Sequence, residues 1–384
     1  MAMKKHQITL LGGQILPVYW GIIEKQPEIV ELIYTKESRT LVGAIKSQFK
    51  SVVFNTHQVD PYDYKGIKAL IEKVVFSNLG NQFQLNLTGG TKVMALACQS
   101  VFKTLELDVF YIDQNNRLFD LKKEEFTTLK SKLSIDTLIK LSGHNNFTAT
   151  KLSGYNKKEI ELANQVLNFT RNSSGLRALF GEVRKKFTKS YERQYGAIES
   201  IKSFSLNTGN ACVSWNNPKL KIKLKNDTIE CTSKKAFKIV FGGLWWEILI
   251  AESTKKWGKA KEQLMSVSIQ TKKDSALTKN EIDIVLNTGQ NFIFIECKSG
   301  NVKQEDLNKM RTVKRLYGGV GSKSILICRY IPRPDLIEKC NDLGIEIFSY
   351  QTNYNKNKDG KFTSFKSLQD INKKLDQLLR KMDL

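Results

Sequence analysis

Asp283 and Glu296 are the two carboxylates of this chain best placed to act together, and Lys298 follows the second by two residues. They lie in Glu281-Ile-Asp283-Ile-Val and Ile295-Glu296-Cys297-Lys298, segments otherwise built of branched and aromatic residues. Residues two apart in a strand point to the same face. Glu281 therefore shares a face with Asp283, and Glu296 shares one with Lys298. A short polar turn at Gly289-Gln290 predicts a hairpin, which brings Asp283 and Glu296 together beside Lys298. Neighbouring carboxylates repel unless a cation separates them, and hard oxygen ligands suit Mg²⁺ or Mn²⁺. Such an ion polarises a phosphoryl oxygen and acidifies bound water. The lysine can orient that water or offset charge building on phosphorus. The chemistry implied is phosphodiester hydrolysis without a covalent intermediate. A plainer alternative is a solvated hairpin face with Lys298 paired to Glu296. An E-x-K triplet alone carries little weight; the spacing across a strand, a turn and a strand, after a helix, is what raises it.

A second constellation is Asn86-Leu87-Thr88-Gly89-Gly90-Thr91-Lys92, between a strand and a helix. Glycines let the backbone approach a ligand closely, and the following helix offers free N–H groups and the positive end of its dipole. With Thr88, Thr91 and Lys92 the set suits a phosphate, although it is neither a Walker A loop nor a dinucleotide fingerprint. An ordinary strand-to-helix turn with Thr91 as the N-cap is the competing reading.

The elements that position these groups fall into three regions: 1–150, 151–235 and 236–384. The first alternates strand and helix signals. QITLLGG (7–13) is a strand, Pro27 to Ser38 an edge strand or helix start, and 51–60 a strand. Residues 64–77 have helical spacing, 83–87 form a strand, 91–105 a helix and 107–113 a strand. This rhythm predicts a mainly parallel, doubly wound sheet. Residues 157–195 read as basic helices and 210–240 as short strands. From 239 the order is helix, three strands (263–271, 281–288, 291–300), a helix over 304–319 ending at glycine, a strand (324–331), a short helix (334–344) and a strand (345–350). The fold class is α/β throughout.

Composition narrows the partners. The chain has 384 residues, 41% of them hydrophobic, and a net charge of +23. Residues 1–150 hold 18 Lys+Arg against 14 Asp+Glu, a net of +4, whereas 151–384 hold 43 against 24, a net of +19. A polyanion is the expected partner of the C-terminal part. Six scattered cysteines without a CxxC pair, and three histidines, argue against a structural zinc site and fit a reducing compartment. No apolar run reaches the length of a membrane span, and the N-terminus reads as a strand and turn, not a signal peptide. A soluble cytoplasmic protein is expected.

The D-(x)n-E-x-K pattern and its element order resemble the PD-(D/E)xK restriction-endonuclease superfamily over roughly 238–350. The resemblance implies that Asp283 and Glu296 bind the metal and Lys298 assists the water. It also places Glu247, in Gly-Gly-Leu-Trp-Trp-Glu, where a helix glutamate often joins the metal, with Glu281 a weaker auxiliary; the first-motif proline of that superfamily is absent. N-L-T-G-G-T-K after a strand resembles the CARF domains of CRISPR-associated proteins. That likeness implies a Rossmann-like domain that dimerises and binds a cyclic oligoadenylate across the two-fold. The ligand would meet Asn86, Thr88, Gly89, Gly90, Thr91 and Lys92, together with Gly13, Gln14, Leu16 and Pro17 of the first-strand loop. The two domains on one chain resemble the ancillary nucleases of type III CRISPR systems. The resemblance implies a homodimer activated by cyclic tetra-adenylate that cuts DNA, RNA or both with Mn²⁺ or Mg²⁺. Two other readings keep the same N-terminal domain: a ligand-gated nucleic-acid-binding regulator without catalysis, and a ring nuclease that degrades its own activator.

Overall fold

Near-continuous burial along β1 (Lys5–Leu11) and β2 (Ile29–Tyr34) marks a sheet covered on both faces. The computed structural model describes residues 3–172, 174–186, 201–271, 277–319, 321–353 and 364–383. Strands β1 (Lys5–Leu11), β2 (Ile29–Tyr34), β3 (Val53–Gln58), β4 (Gln82–Asn86) and β5 (Asp108–Ile112) are parallel neighbours in the order β3-β2-β1-β4-β5. Two antiparallel strands, β6 (Arg117–Asp120) and β7 (Glu125–Thr128), extend the far edge. Leu11, Val30 and Leu32 face helices α1 (Leu16–Lys25) and α2 (Arg39–Lys46). Ile8, Leu10 and Ile33 face the opposite layer, α3 (Tyr64–Phe76) and α4 (Lys92–Thr104). Both sheet faces are covered, as a parallel sheet requires. The segment around Pro27–Ser38 is not at an edge: β2 lies between β1 and β3, and its Val30, Leu32 and Ile33 are fully buried. Helices α1 and α2 add to the elements legible in the sequence.

Strand order reverses between β1 and β4, so the loops at their C-terminal ends splay apart. This is the crevice where open α/β sheets bind ligands.

Helix α5 (Ile135–Leu141) is followed by β8 (Phe147–Thr150). This strand joins the C-terminal sheet, antiparallel to Glu262–Gln270 (β13). Helices α6 (Lys157–Asn172) and α7 (Ser174–Lys186) confirm the expected helical region as far as 186; the part from 187 to 195 lies outside the described residues. They pack with an antiparallel sheet of β9 (Ser203–Asn207), β10 (Ala211–Asn216), β11 (Lys219–Leu224) and β12 (Thr228–Thr232).

Helices α8 (Ala236–Phe241) and α9 (Leu244–Lys256) lead into the last sheet. Its strands are β13 (Glu262–Gln270), β14 (Thr278–Asn287), β15 (Phe292–Lys298), β16 (Ser322–Cys328) and β17 (Ile345–Ser349). The order is β17-β16-β15-β14-β13-β8. Trp246 of α9 is fully buried on one face. Helices α10 (Gln304–Val313) and α11 (Pro334–Asp342) cover the other through Leu307, Met310 and Leu336. The helix expected over 304–319 is α-helical only to Val313; Lys314–Gly318 continue as a wide π turn. Helix α12 (Asp370–Asp383) packs Ile371, Leu375 and Leu378 into the core beside α9.

One apolar cluster spans the junction of the two sheet domains, joining Leu16, Leu138 and Ile139 to Val267, Phe294, Val313 and Tyr317. Polar ties reinforce it. Asn116 Nδ2 donates to Gln290 O at 3.1 Å and to Asn291 Oδ1 at 3.1 Å, and Asn287 Nδ2 donates to Leu133 O at 2.6 Å.

Candidate active site and ligand cleft

Strand β15 ends with Glu296 buried, 3% exposed, and Lys298 pointing to the same face. Lys298 Nζ lies 2.8 Å from Glu296 Oε1 and 3.0 Å from Asp306 Oδ1 on α10. A second lysine closes the other side: Lys309 Nζ, also on α10, lies 2.9 Å from Glu296 Oε2. The β14–β15 ladder stops at Ile284–Ile295. Beyond it the Asp283 side chain takes over a rung, its Oδ2 accepting from the Cys297 amide at 2.7 Å. Glu247, in the first turn of α9, faces Asp283 from the neighbouring layer and accepts from Ser266 Oγ at 3.4 Å. Glu281 is exposed on β14, near enough to act on Glu247 through its charge.

The electrostatics are those of a cation site. Burial, then the Glu296 carboxylate, pushes Asp283 up to about 7. Burial, then Asp283, Glu281 and Glu296, raises Glu247 well above the usual carboxylate range. Burial opposes the charge on Lys298 and on Lys309, yet for each the surrounding carboxylates together, Glu296 foremost, outweigh it and hold the ammonium above its ordinary value. Three buried or half-buried carboxylates with this mutual repulsion match the donor set a hard divalent cation takes. In the present arrangement Lys298 and Lys309 engage both Glu296 oxygens, and among the described residues no three acidic, His or Cys side chains form a ready-made cation cage.

Sequence reasoning missed Lys309, Asp306 and Ser266. Lys309 lies eleven residues past the E-x-K lysine, and only helical spacing with Asp306 (i, i+3) hints that both face the strand ends. Ser266 has φ +47°, a left-handed conformation uncommon outside glycine. It falls where the β13–β14 pairing skips the rung opposite Asp283. Backbone strain of this kind gathers at functional sites.

In the N-terminal crevice, Gly13, Gln14, Leu16, Pro17, Thr88, Gly89 and Gly90 line a cleft of about 270 Å³. The loops cross at contact distance. A Cβ on Gly89 would meet Leu10 O at 1.8 Å, and one on Gly12 would meet Gly90 N at 2.8 Å. Thr91 lines an adjoining cleft of about 580 Å³. It also caps α4, its Oγ1 accepting from Met94 N at 3.2 Å and donating to Pro61 O at 2.7 Å. Two of the expected contact residues stand elsewhere. Asn86 is 1% exposed, with Nδ2 donating to Pro17 O at 3.0 Å and Oδ1 accepting from Thr88 N at 3.1 Å, so it ties the two loops together from beneath. Lys92 is exposed on the first turn of α4, outside both linings. Tyr111, Asp113, Gln114 and Asn116 complete the smaller cleft, and Gly321 of the C-terminal domain closes one wall. Tyr111 lies at the end of β5 and Asp113 and Gln114 follow it, at the C-terminal strand end where this fold class binds ligands.

Residues 8–137 match the family model of the Card1 CARF domain, and residues 233–357 match that of the Card1-like endonuclease domain. The chain belongs to the Card1-like CARF nucleases. This CARF nuclease shares its fold with Can2 from Sulfobacillus thermosulfidooxidans, solved in complex with cyclic tetra-adenylate. The TM-score is 0.68 at 22% identity, over 90% of this chain and 95% of that one. Protein VC1899 from Vibrio cholerae also matches, with TM-score 0.68 and 15% identity over 98% of both chains. A type III CRISPR defence DNA nuclease activated by cyclic oligoadenylate matches with TM-score 0.56 and 16% identity, over 98% of this chain and 52% of that one. No curated protein sequence matches the chain. Among the described residues no helix of this CARF nuclease is long and apolar enough to cross a membrane.

Proposed function

We propose that the chain is a divalent-metal-dependent endonuclease, switched on by a cyclic oligoadenylate, cyclic tetra-adenylate foremost. The ring would be held across the two-fold of a homodimer paired through residues 1–150. Residues 151–235 join that part to the nuclease domain of 236–384. The reading rests on one observation above others: carboxylates from α9, β14 and β15 converge beside Lys298, each buried or half-buried.

Glu247, Asp283 and Glu296 would hold Mn²⁺ or Mg²⁺. Bound there, the ion supplies a polarised phosphoryl oxygen and a more acidic water. Lys298 remains an ammonium through the working pH range and can place the attacking water or offset the charge of the phosphorane. Asp306 fixes the Lys298 side chain from α10. The strongly basic composition of 151–384, net +19, draws DNA or RNA to this part of the chain without reading sequence. The activator reading is supported by the glycine-lined cleft at the β1/β4 switch point and by the ligand of the similar Can2 structure.

The test mixes purified chain, Mn²⁺ and either plasmid or single-stranded RNA, with and without cyclic tetra-adenylate. Cutting that needs both metal and ring is expected. No cutting in any combination removes the activation reading, and full cutting by Glu296→Gln and by Lys298→Ala removes the assigned site.

A further inference from the structure

The activator cleft of about 270 Å³ is slightly below the roughly 300–1,000 Å³ of ordinary ligand sites. It shares Gly13, Gln14 and Leu16 with a larger cleft of about 660 Å³ at the domain junction. The far wall of that larger cleft carries Arg311, Lys314 and Arg315, and no carboxylate lines it. No ion pair joins these three cations to an acid among the described residues. Burial, then the like charge of Lys323, holds Lys314 below the usual lysine range. Basic side chains at a helix C-terminus are ordinarily favoured by the helix dipole. Here they face a cavity shared with the ligand loops.

We propose that Arg311, Lys314 and Arg315 form a phosphate-contacting wall for the cyclic oligoadenylate, contributed by the nuclease domain. The proposal rests on the activator reading above and deepens it. Its consequence follows from covalent continuity. Asp306 and Lys309, three apart on one face of α10, hold Lys298 and Glu296. Arg311 is about 200° round the same helix from Lys309, and Lys314 and Arg315 open the π turn that continues it. A ring pulling on the wall therefore acts on the element that pairs Lys309 with Glu296.

Calorimetric titration of the full chain with cyclic tetra-adenylate tests this. Arg311→Ala/Lys314→Ala/Arg315→Ala is expected to weaken binding at least about tenfold and to raise the ring concentration for half-maximal cutting in parallel. Arg311→Lys/Lys314→Arg/Arg315→Lys should restore most of the affinity. Should the triple alanine variant lose its melting transition, Arg311→Glu/Arg315→Glu, both at exposed positions, replaces it with the same expectation. Unchanged ring affinity in a folded variant overturns the proposal and leaves the activator reading intact. Unchanged ring affinity with a raised KM for nucleic acid also overturns it and assigns the wall to the substrate. Absence of ring binding by the unaltered chain overturns the activator reading and this proposal with it.

Discussion

Replacing Asp283 by Asn should stabilise the metal-free protein while abolishing cutting. Burial and Glu296 push this carboxyl from its ordinary 3.8 to about 7. Holding it ionised at high pH thus costs up to about 4 kcal/mol at 1.36 kcal/mol per unit. Relaxation of the site and entry of water reduce this to roughly 1–3 kcal/mol. The sign follows from linkage. A carboxyl raised in the folded state contributes no penalty well below pH 3.8, where it is neutral folded and unfolded. The penalty grows as pH rises and levels off above about 7. Asn keeps the acceptor for the Cys297 amide that Asp283 Oδ2 satisfies at 2.7 Å. Its gain in melting temperature should be small near pH 4.5 and reach a few degrees at pH 8, at roughly 1–2 °C per kcal/mol for a chain of 384 residues. Scanning calorimetry in EDTA across that range reads it directly. Adding Mn²⁺ should raise the unaltered chain's transition at pH 8 and leave the variant's nearly unmoved. A variant destabilised at pH 8, or stabilised equally at both pH values, would show that the carboxylate cluster is not under the strain described.

Lys309→Ala removes a cation 2.9 Å from Glu296; the Mn²⁺ concentration that half-protects against thermal unfolding should fall several-fold, and a rise would refute the competition between lysine and metal. Gly89→Ala drives a methyl group against Leu10 O, so it should cost more than about 1 kcal/mol in urea unfolding and lose ring binding. Gly13→Ala, with open space around its Cβ, should leave the unfolding free energy unchanged. Thr91→Ala removes the cap of α4 and the bond to Pro61, with an expected loss of about 0.5–2 kcal/mol in the same assay.

The hairpin was legible because it is local. The β14–β15 turn is short, β15 is a short, almost wholly buried apolar run, and Glu296 and Lys298 share a face by strand period alone. The parallel N-terminal sheet was legible for the same reason, through the repeated switch from period two to helical spacing. What stayed hidden depends on distant partners. Nothing local in Phe147–Thr150 marks it as a mate for β13, over a hundred residues away. Asn86 reads as a ligand contact because Asn in a glycine turn is polar; only the approach of Pro17 O, far off in sequence, consumes its amide. Lys309 and Asp306 resemble ordinary solvated helix residues until α10 is laid across the ends of β15 and β16.

Strand β8 carries a consequence for how any signal crosses this molecule. The chain leaving the N-terminal domain does not trail as a tether but is woven into the nuclease sheet as its outermost strand, shielding the edge of β13. An uncovered strand edge is a template for unwanted pairing, so a nuclease fragment starting after Thr150 should self-associate. The same weave leaves no slack between the halves. Any reorientation of the halves would then be a shear of packed surfaces, small in amplitude and shared across the junction, and not the swing of two beads on a string.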